Sequence, residues 1–207
     1  GSSVGIGLGV SKASKGEVVV ATIGDSTFFH AGIPALIDAA YNKHPLLVVV
    51  MDNMYTAMTG HQPHPGTGSG PWGEVREKVR IEEIAKAAGV RSVLVIDPYD
   101  VKASIDSLLK ALETVAKERE PVVVIARRKC ALMDYRERLR EGRPVAKYRV
   151  DQSRCIGCGV CTDRFACPAI VRTEDGKSAI LTDLCVGCGV CAQICPAGAI
   201  EEVTTGD

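Results

Sequence analysis

The sequence predicts an α/β domain built on a parallel sheet, followed by a small α+β domain held together by its cysteines. Three observations predict it. Through residue 126 strand-like and helix-like patterns alternate, as crossovers between parallel strands require. Between residues 155 and 195 stand eight of the nine cysteines, in two sets whose first three members repeat at an offset of thirty residues. Charge also divides the chain. Residues 127–147 set eight Lys or Arg against three acids, and 148–207 carry five basic and eight acidic residues, under a formal net charge of zero. The 207 residues therefore read as a domain over 1–126, a basic linker over 127–147 and a second domain over 148–207.

Ser2 to Ser14 reads as a small-residue helix. Its Gly5, Gly7 and Gly9 are spaced G-x-G-x-G with no strand before them, a weak dinucleotide signal; close packing explains them, although a helix N-terminus also suits a diphosphate. A first residue that is Gly, and a helix without a preceding strand, lead us to expect a piece of a larger polypeptide. Glu17 to Ile23 is a continuous apolar strand of the kind buried on both faces, ending in Gly24-Asp25-Ser26. A turn and a helix over Ile33–Asn42 follow, with Pro34 in the first turn and His44 closing the end. The strand Leu46–Met51 ends in Asp52-Asn53. A helix over Ile81–Ala88 stopped by Gly89, a strand over Ser92–Ile96, a helix over Val101–Arg119 and a strand over Val122–Ala126 complete the pattern. Ligands of such sheets lie beyond the carboxyl ends of the strands. Asp25 and Asn53, each placed at a strand end, could converge on one hard cation, and magnesium prefers a few protein oxygens together with cofactor phosphates.

In the second domain, Cys155, Cys158, Cys161 and Cys167 precede Pro168, and Cys185, Cys188, Cys191 and Cys195 precede Pro196. Triplets of C-x2-C-x2-C followed by Cys-Pro are an iron–sulfur form, and the glycines between the cysteines permit the sharp turns needed to wrap a cluster. Structural zinc more often uses two separated C-x2-C pairs. Disulfides would call for an oxidising compartment, whereas no signal peptide, transmembrane run or lipidation motif is visible; a cytoplasmic chain without a membrane partner is expected. With little apolar material, this domain needs its clusters as staples. One spacing departs from the usual form: five residues separate Cys161 from Cys167, where three separate Cys191 from Cys195. With all four ligands of each set present, the change bears on cluster exposure and potential more than on ligation, and a three-iron cluster is the weaker reading. The basic linker reads as docking on acidic neighbours, and without interleaved aromatics it does not suggest nucleic acid. Cys130 within it reads as a half-buried free thiol.

The cysteine stretch resembles the two-cluster ferredoxins. That resemblance implies that Cys155, Cys158, Cys161 and Cys195 hold one 4Fe-4S cluster, and that Cys185, Cys188, Cys191 and Cys167 hold the other. Gly24-Asp25-Ser26 followed after 26 intervening residues by Asn53 resembles the signature of thiamine diphosphate enzymes, with Ser26 at a position more commonly Gly. In that family the Asp, the Asn and a backbone carbonyl two residues later bind magnesium, which here implies Asp25, Asn53 and the carbonyl of Tyr55. The loop 53–68, with Thr59, Gly60 and Gln62 in its Thr-Gly-x-Gln segment, resembles the cofactor loop of the 2-oxoacid:ferredoxin oxidoreductases. The run 24–34 and the segment His-Gln-Pro-His-Pro-Gly (61–66) resemble the large subunits of their indolepyruvate branch.

These resemblances imply oxidative decarboxylation of an aryl 2-oxoacid to the acyl-CoA. Thiamine diphosphate with Mg2+ would supply carbanion chemistry, coenzyme A would take the acyl group, and the two clusters would pass electrons singly to an external ferredoxin. They also imply an upstream thiamine-binding half, carrying the Glu that contacts the aminopyrimidine, and a smaller second subunit. His30 and His61 are candidates for proton transfer at the substrate by loop position, while His61 and His64 also read as solvated or as zinc ligands without an acidic or Cys partner at metal spacing. Two alternatives stand beside this reading: an electron-transfer ferredoxin fused to a non-catalytic α/β domain, and the same chemistry on another 2-oxoacid such as pyruvate.

Overall fold

Four parallel strands in the order β1-β2-β4-β3 form the sheet of the first half of the chain. The architecture is that of a computed structural model, which describes residues 1–14 and 17–203. The chain divides into two units: Gly1–Pro98 with Lys102–Cys130, and Tyr99–Val101 with Ala131–Asp207.

In the first unit, helix α1 (Ser3–Ala13) leads to β1 (Val19–Gly24), a short α2 (Asp25–Thr27), a π-turn (Phe28–Gly32) and α3 (Ile33–Tyr41). Then come β2 (Leu46–Asp52), a 3-10 turn (Ala57–Thr59), α4 (Ile81–Ala87), β3 (Ser92–Ile96), α5 (Val101–Glu118) and β4 (Val122–Arg127). The central strands are apolar on both faces because both faces are covered. Leu46, Val48 and Val50 of β2 join Val123 and Ile125 of β4 in a core with Val4, Leu8, Phe28, Leu36, Ile81 and Ala85 from the helices. Leu47, Val122 and Val124 point the other way, against Ala111 and Val115 of α5. Each such side chain contributes about 1.5–3 kcal/mol by leaving water. Among the three glycines of α1 only Gly7 is crowded: a Cβ there would lie 3.0 Å from Leu46 Cδ1, whereas Gly5 and Gly9 have nothing within 4 Å. Close packing of α1 on the sheet thus accounts for Gly7.

The sequence ends the strand in Gly24-Asp25-Ser26 and places a turn before a helix at Ile33, yet the chain enters helical structure at Asp25. The reason is local. Gly24 stays extended (φ −76°, ψ 156°) and Asp25 opens the helix, its Oδ1 accepting the Ser26 N–H at 2.7 Å. The π-turn widens the helix just before Pro34, which has no N–H to give to a regular ladder. It also seats Phe28 fully in the core and brings Gly32 so near the sheet that a Cβ would lie 2.9 Å from Ile23 Cδ1.

The second unit carries α6 (Ala131–Arg140) in the basic stretch, β5 (Lys147–Val150), a π-turn (Val160–Arg164), β6 (Ile170–Arg172), β7 (Ser178–Ile180), α7 (Val190–Ile194) and β8 (Ile200–Val203). β5 pairs with β8 and β6 with β7, both antiparallel. The thirty-residue repeat persists in the registers, since Val150 faces Ile200 in one ribbon and Ile180 faces Ile170 in the other. Around the fourth cysteine of each set the repeat is offset and then restored. Five residues rather than three precede Cys167, and two rather than four separate it from its strand, so Ile170 and Ile200 each begin a strand nine residues after the third cysteine. The longer lead forms a π-turn where the shorter one forms α7, an added residue in a helical turn being the usual origin of π geometry.

Candidate functional site

Asp25 follows β1 and Asn53 follows β2, two neighbouring strands in register with Gly24 opposite Met51. Both residues therefore stand at the carboxyl edge of the sheet, where ligands of parallel sheets collect. Asp25 is buried. Its Oδ2 lies 3.1 Å from Nε2 of His64, the two side chains being 4% exposed, but neither atom has a partner in hydrogen-bond geometry. Burial works to raise the Asp25 pKa; the adjacent His64 ring and the Ser26 and Met54 amides outweigh it and hold the carboxyl below its ordinary value. An anionic, buried carboxylate with an oxygen left over is what a hard cation needs. Asn53 Oδ1 accepts the Tyr55 N–H at 3.0 Å, turning the chain away from the strand end.

The loop after Asn53 is pinned at several points. Thr56 Oγ1 donates to Ser26 Oγ at 2.9 Å, and Thr67 Oγ1 donates to the Met54 carbonyl at 2.7 Å. Thr56 and Gln62 form a β-bridge that closes a small exposed ring containing Thr59, Gly60 and Gln62. Within it Thr59 Oγ1 donates to Gln62 Oε1 and Gln62 Nε2 donates to the Thr59 carbonyl, each at 2.6 Å. Gly60 has φ +120°, a conformation side chains rarely take. Ser26 is thus tied to this loop, while Thr59, Gly60 and Gln62 contact one another. His30 is exposed on the π-turn. His61, at φ +62°, puts its Nε2 3.4 Å from Cys130 Sγ and its ring edge-on to Tyr55; the Cys130 N–H donates to the Asn53 carbonyl at 3.0 Å.

Sequence reasoning missed two groups here. His64, which the sequence leaves to solvent or zinc, is packed between Asp25 and Phe29. The Pro-rich loop was the only available signal, because its partner lies 39 positions away. The second group is an ion triad. Arg127 Nε donates to Asp52 Oδ2 at 2.6 Å, and its two terminal nitrogens donate to Glu82 at 3.1 and 2.7 Å. Hydrogen bonding to Arg127 holds Glu82 below the ordinary carboxylate range, and the same contacts, Glu82 first, raise the Arg127 pKa. The Arg128 N–H donates to the Asp52 carbonyl at 3.0 Å, so the residue preceding Asn53 is held through side chain and backbone together.

In the second unit Cys161, Cys167, Cys191 and Cys195 share one small core with Ile170, Ile200, Tyr148 and Phe165. All nine cysteines are free thiols. Gly157, Gly159, Gly187 and Gly189 take φ between +65° and +74°, turning the backbone between successive cysteines. Burial and then the neighbouring Cys188, Cys167 and Cys185 thiolates push the Cys191 thiol up to about 12. Three thiols from one set and one from the other therefore crowd together, the grouping that the ferredoxin resemblance implies for one cluster. Among the described residues no three His, Cys, Asp or Glu side chains converge closely enough to hold a single metal ion; ligands spread around a multi-iron cube stand farther apart than ligands around one ion.

Comparisons with known proteins identify two domain families along the chain. Residues 1–126 match the family described as "Thiamine pyrophosphate enzyme, C-terminal TPP binding domain", and residues 148–202 match the "4Fe-4S dicluster domain". The whole chain is 45% identical to 33% of the "Indolepyruvate oxidoreductase subunit IorA" of Pyrococcus horikoshii. Over 97% of its length it is 46% identical to 31% of the subunit of the same name from Archaeoglobus fulgidus. The chain thus spans about a third of the length of these relatives. Among solved structures, a putative thiamin diphosphate-dependent enzyme from Mycobacterium smegmatis is 26% identical, with 62% of this chain and 21% of that one covered at a TM-score of 0.43.

Proposed function

Because the chain belongs to the thiamine pyrophosphate enzymes, whose TPP-binding domain it carries beside an iron–sulfur domain, we propose that it is part of a 2-oxoacid:ferredoxin oxidoreductase acting on an aryl 2-oxoacid. The observation that carries the proposal is the pairing of Asp25 and Asn53 at adjacent strand ends with two four-cysteine sets in one chain. In this reading Asp25, Asn53 and the Tyr55 carbonyl hold Mg2+, and Gly24, Ser26, Thr59, Gly60 and Gln62 border the diphosphate. Bound thiamine diphosphate supplies the carbanion chemistry by which a 2-oxoacid loses carbon dioxide and becomes a two-electron donor.

The chain's own groups then have definite tasks. Asp25 brings a buried anion to the cation, with His64 fixing its carboxylate. The Arg127 triad holds the strand end that presents Asn53. His61, half-buried beside Tyr55 and Cys130, and His30, exposed on the π-turn, are by loop position the candidates to move a proton. The cysteine sets Cys155, Cys158, Cys161, Cys195 and Cys185, Cys188, Cys191, Cys167 would each hold one 4Fe-4S cluster. Two one-electron carriers suit a two-electron donor, and an external ferredoxin would take the electrons while coenzyme A takes the acyl group. The thiamine site is completed by another half of the enzyme, with a smaller second subunit as partner.

The substrate class rests on the names of the relatives. An apolar pocket rewards a large ring by on the order of 25 cal/mol for each Å2 of apolar surface buried, so discrimination should appear mainly in kcat/KM. Competition among indolepyruvate, phenylpyruvate and pyruvate on the reconstituted enzyme tests it. Preference for the aryl acids is expected; preference for pyruvate would overturn the substrate while leaving the cofactor chemistry standing.

A further inference from the structure

The repeat that builds the cysteine unit sets opposite chemistry at equivalent positions. Arg172 faces Ser178 across β6 and β7; thirty residues away in register, Glu202 faces Tyr148 across β8 and β5. Cys161 Sγ and Ser178 Oγ lie 3.3 Å apart, and both residues are buried. A sulfur bound to iron has no proton to give, so in that state the hydroxyl is the donor and the sulfur the acceptor. Arg172 stands on the same side. Its guanidinium is held by Asp163 at 2.6 Å, and Asp163 first, then the Cys161 and Cys158 thiolates, raise its pKa.

At the other set the arrangement is reversed. Tyr148 packs in the core with Cys191, but its hydroxyl donates to Glu202 Oε2 at 3.4 Å. Burial, then Glu202 and the Cys191 and Cys188 thiolates, push the Tyr148 pKa up. Each set has a cation near it, Arg172 beside the first and Lys147, whose Nζ donates to the Cys185 carbonyl at 2.7 Å, beside the second; the difference lies in the hydroxyls, Ser178 at a sulfur of the first set and Tyr148 already engaged by Glu202 at the second.

Reduction adds one negative charge to a cluster. Hydrogen bonds to its sulfurs and nearby positive charge favour that step, and nearby negative charge opposes it. Resting on the two-cluster reading above, we propose that the cluster held by Cys155, Cys158 and Cys161 has the higher reduction potential, so that a single electron entering this chain rests there rather than on the cluster held by Cys185, Cys188 and Cys191. Asp163 offsets part of the Arg172 charge, which leaves the buried Ser178 hydroxyl as the principal contributor.

The test is a redox titration of the purified holoenzyme followed by electron paramagnetic resonance, with dithionite as reductant. Ser178→Ala should lower the higher of the two midpoints and leave the other in place; Arg172→Gln, at an exposed position that does not threaten folding, should shift the same midpoint downwards by less. Glu202→Gln should raise the lower midpoint. The proposal is overturned if Ser178→Ala and Arg172→Gln leave both midpoints unmoved, if Ser178→Ala acts on the lower midpoint, or if Ser178→Ala and Glu202→Gln move the same one. An iron count on each preparation separates the two ideas: two clusters' worth of iron with the wrong order of potentials defeats only this inference, whereas one cluster's worth defeats the two-cluster reading and this inference with it.

Discussion

His64 presents Nε2, not Nδ1, to the carboxylate of Asp25. The Gly66 N–H donates to Nδ1 at 3.1 Å, so the neutral ring must carry its proton on Nε2, 3.1 Å from Asp25 Oδ2. A carboxylate oxygen has two lone pairs, and one directed at His64 leaves the other free for a cation. In the proposed magnesium site, His64 would orient the Asp25 carboxylate from behind.

Removing such a group commonly costs 10- to 100-fold in metal affinity. His64→Ala should therefore weaken Mg2+-dependent thiamine diphosphate binding by about that factor, with His64→Gln falling between it and the parent. Titration calorimetry at fixed Mg2+ measures this, and unchanged affinity in His64→Ala would contradict the orienting role.

Asp25→Ala should abolish Mg2+-dependent binding of thiamine diphosphate and leave the iron content unaltered, since the eight cysteines of the two sets belong to the other unit. Cofactor release measured beside an iron assay checks both halves. Full retention of the cofactor would remove Asp25 from the site.

Arg127→Met strands Asp52, which is buried, without its cation. Breaking a buried pair costs about 3 kcal/mol at the low end, a loss readable in the urea midpoint. A pH dependence follows from Glu82, whose folded pKa is depressed by Arg127. A depressed carboxyl contributes stability above its unfolded pKa and loses it as pH falls through the folded value. The difference in stability between the parent and Glu82→Gln should accordingly be largest near neutrality and shrink below about pH 4.3, the ordinary Glu value. A difference that grew on acidification would refute the sign.

Cys167→Ala should damage the cluster whose other ligands are Cys185, Cys188 and Cys191, because Cys167 is among the thiols crowding Cys191. Paramagnetic resonance of the reduced variant distinguishes the two clusters. Damage confined to the Cys155, Cys158 and Cys161 set would show that ligands are not exchanged between the repeats.

Much of this was legible in the sequence because its causes are local. Unbroken apolar runs exposed β1, β2 and β4, and the cysteine spacing is itself a ligand geometry. Asp25 and Asn53 could be placed at strand ends for the same reason. What could not be read depends on distant partners. The helical start at Asp25 hides in Gly-Asp-Ser, a sequence equally suited to a turn, and is decided by Phe28 and Gly32 packing on Ile23. The burial of His64 and the Arg127 triad join residues 39 to 75 positions apart, a distance at which no periodicity speaks.

The shifted position of Cys167 shows what an ancestral duplication in this unit would leave free to vary. The count that stays fixed runs from the third cysteine of each set to its strand, and the Cys-Pro pair slides within it like a bead on a string. A matched insertion and deletion on the two sides of that bead leaves the sheet untouched. A lone deletion would slip Ile170 by one place, and since strand side chains alternate with a period of two, the ribbon would turn its apolar face outward. Evolution can thus move the ligand only in paired steps.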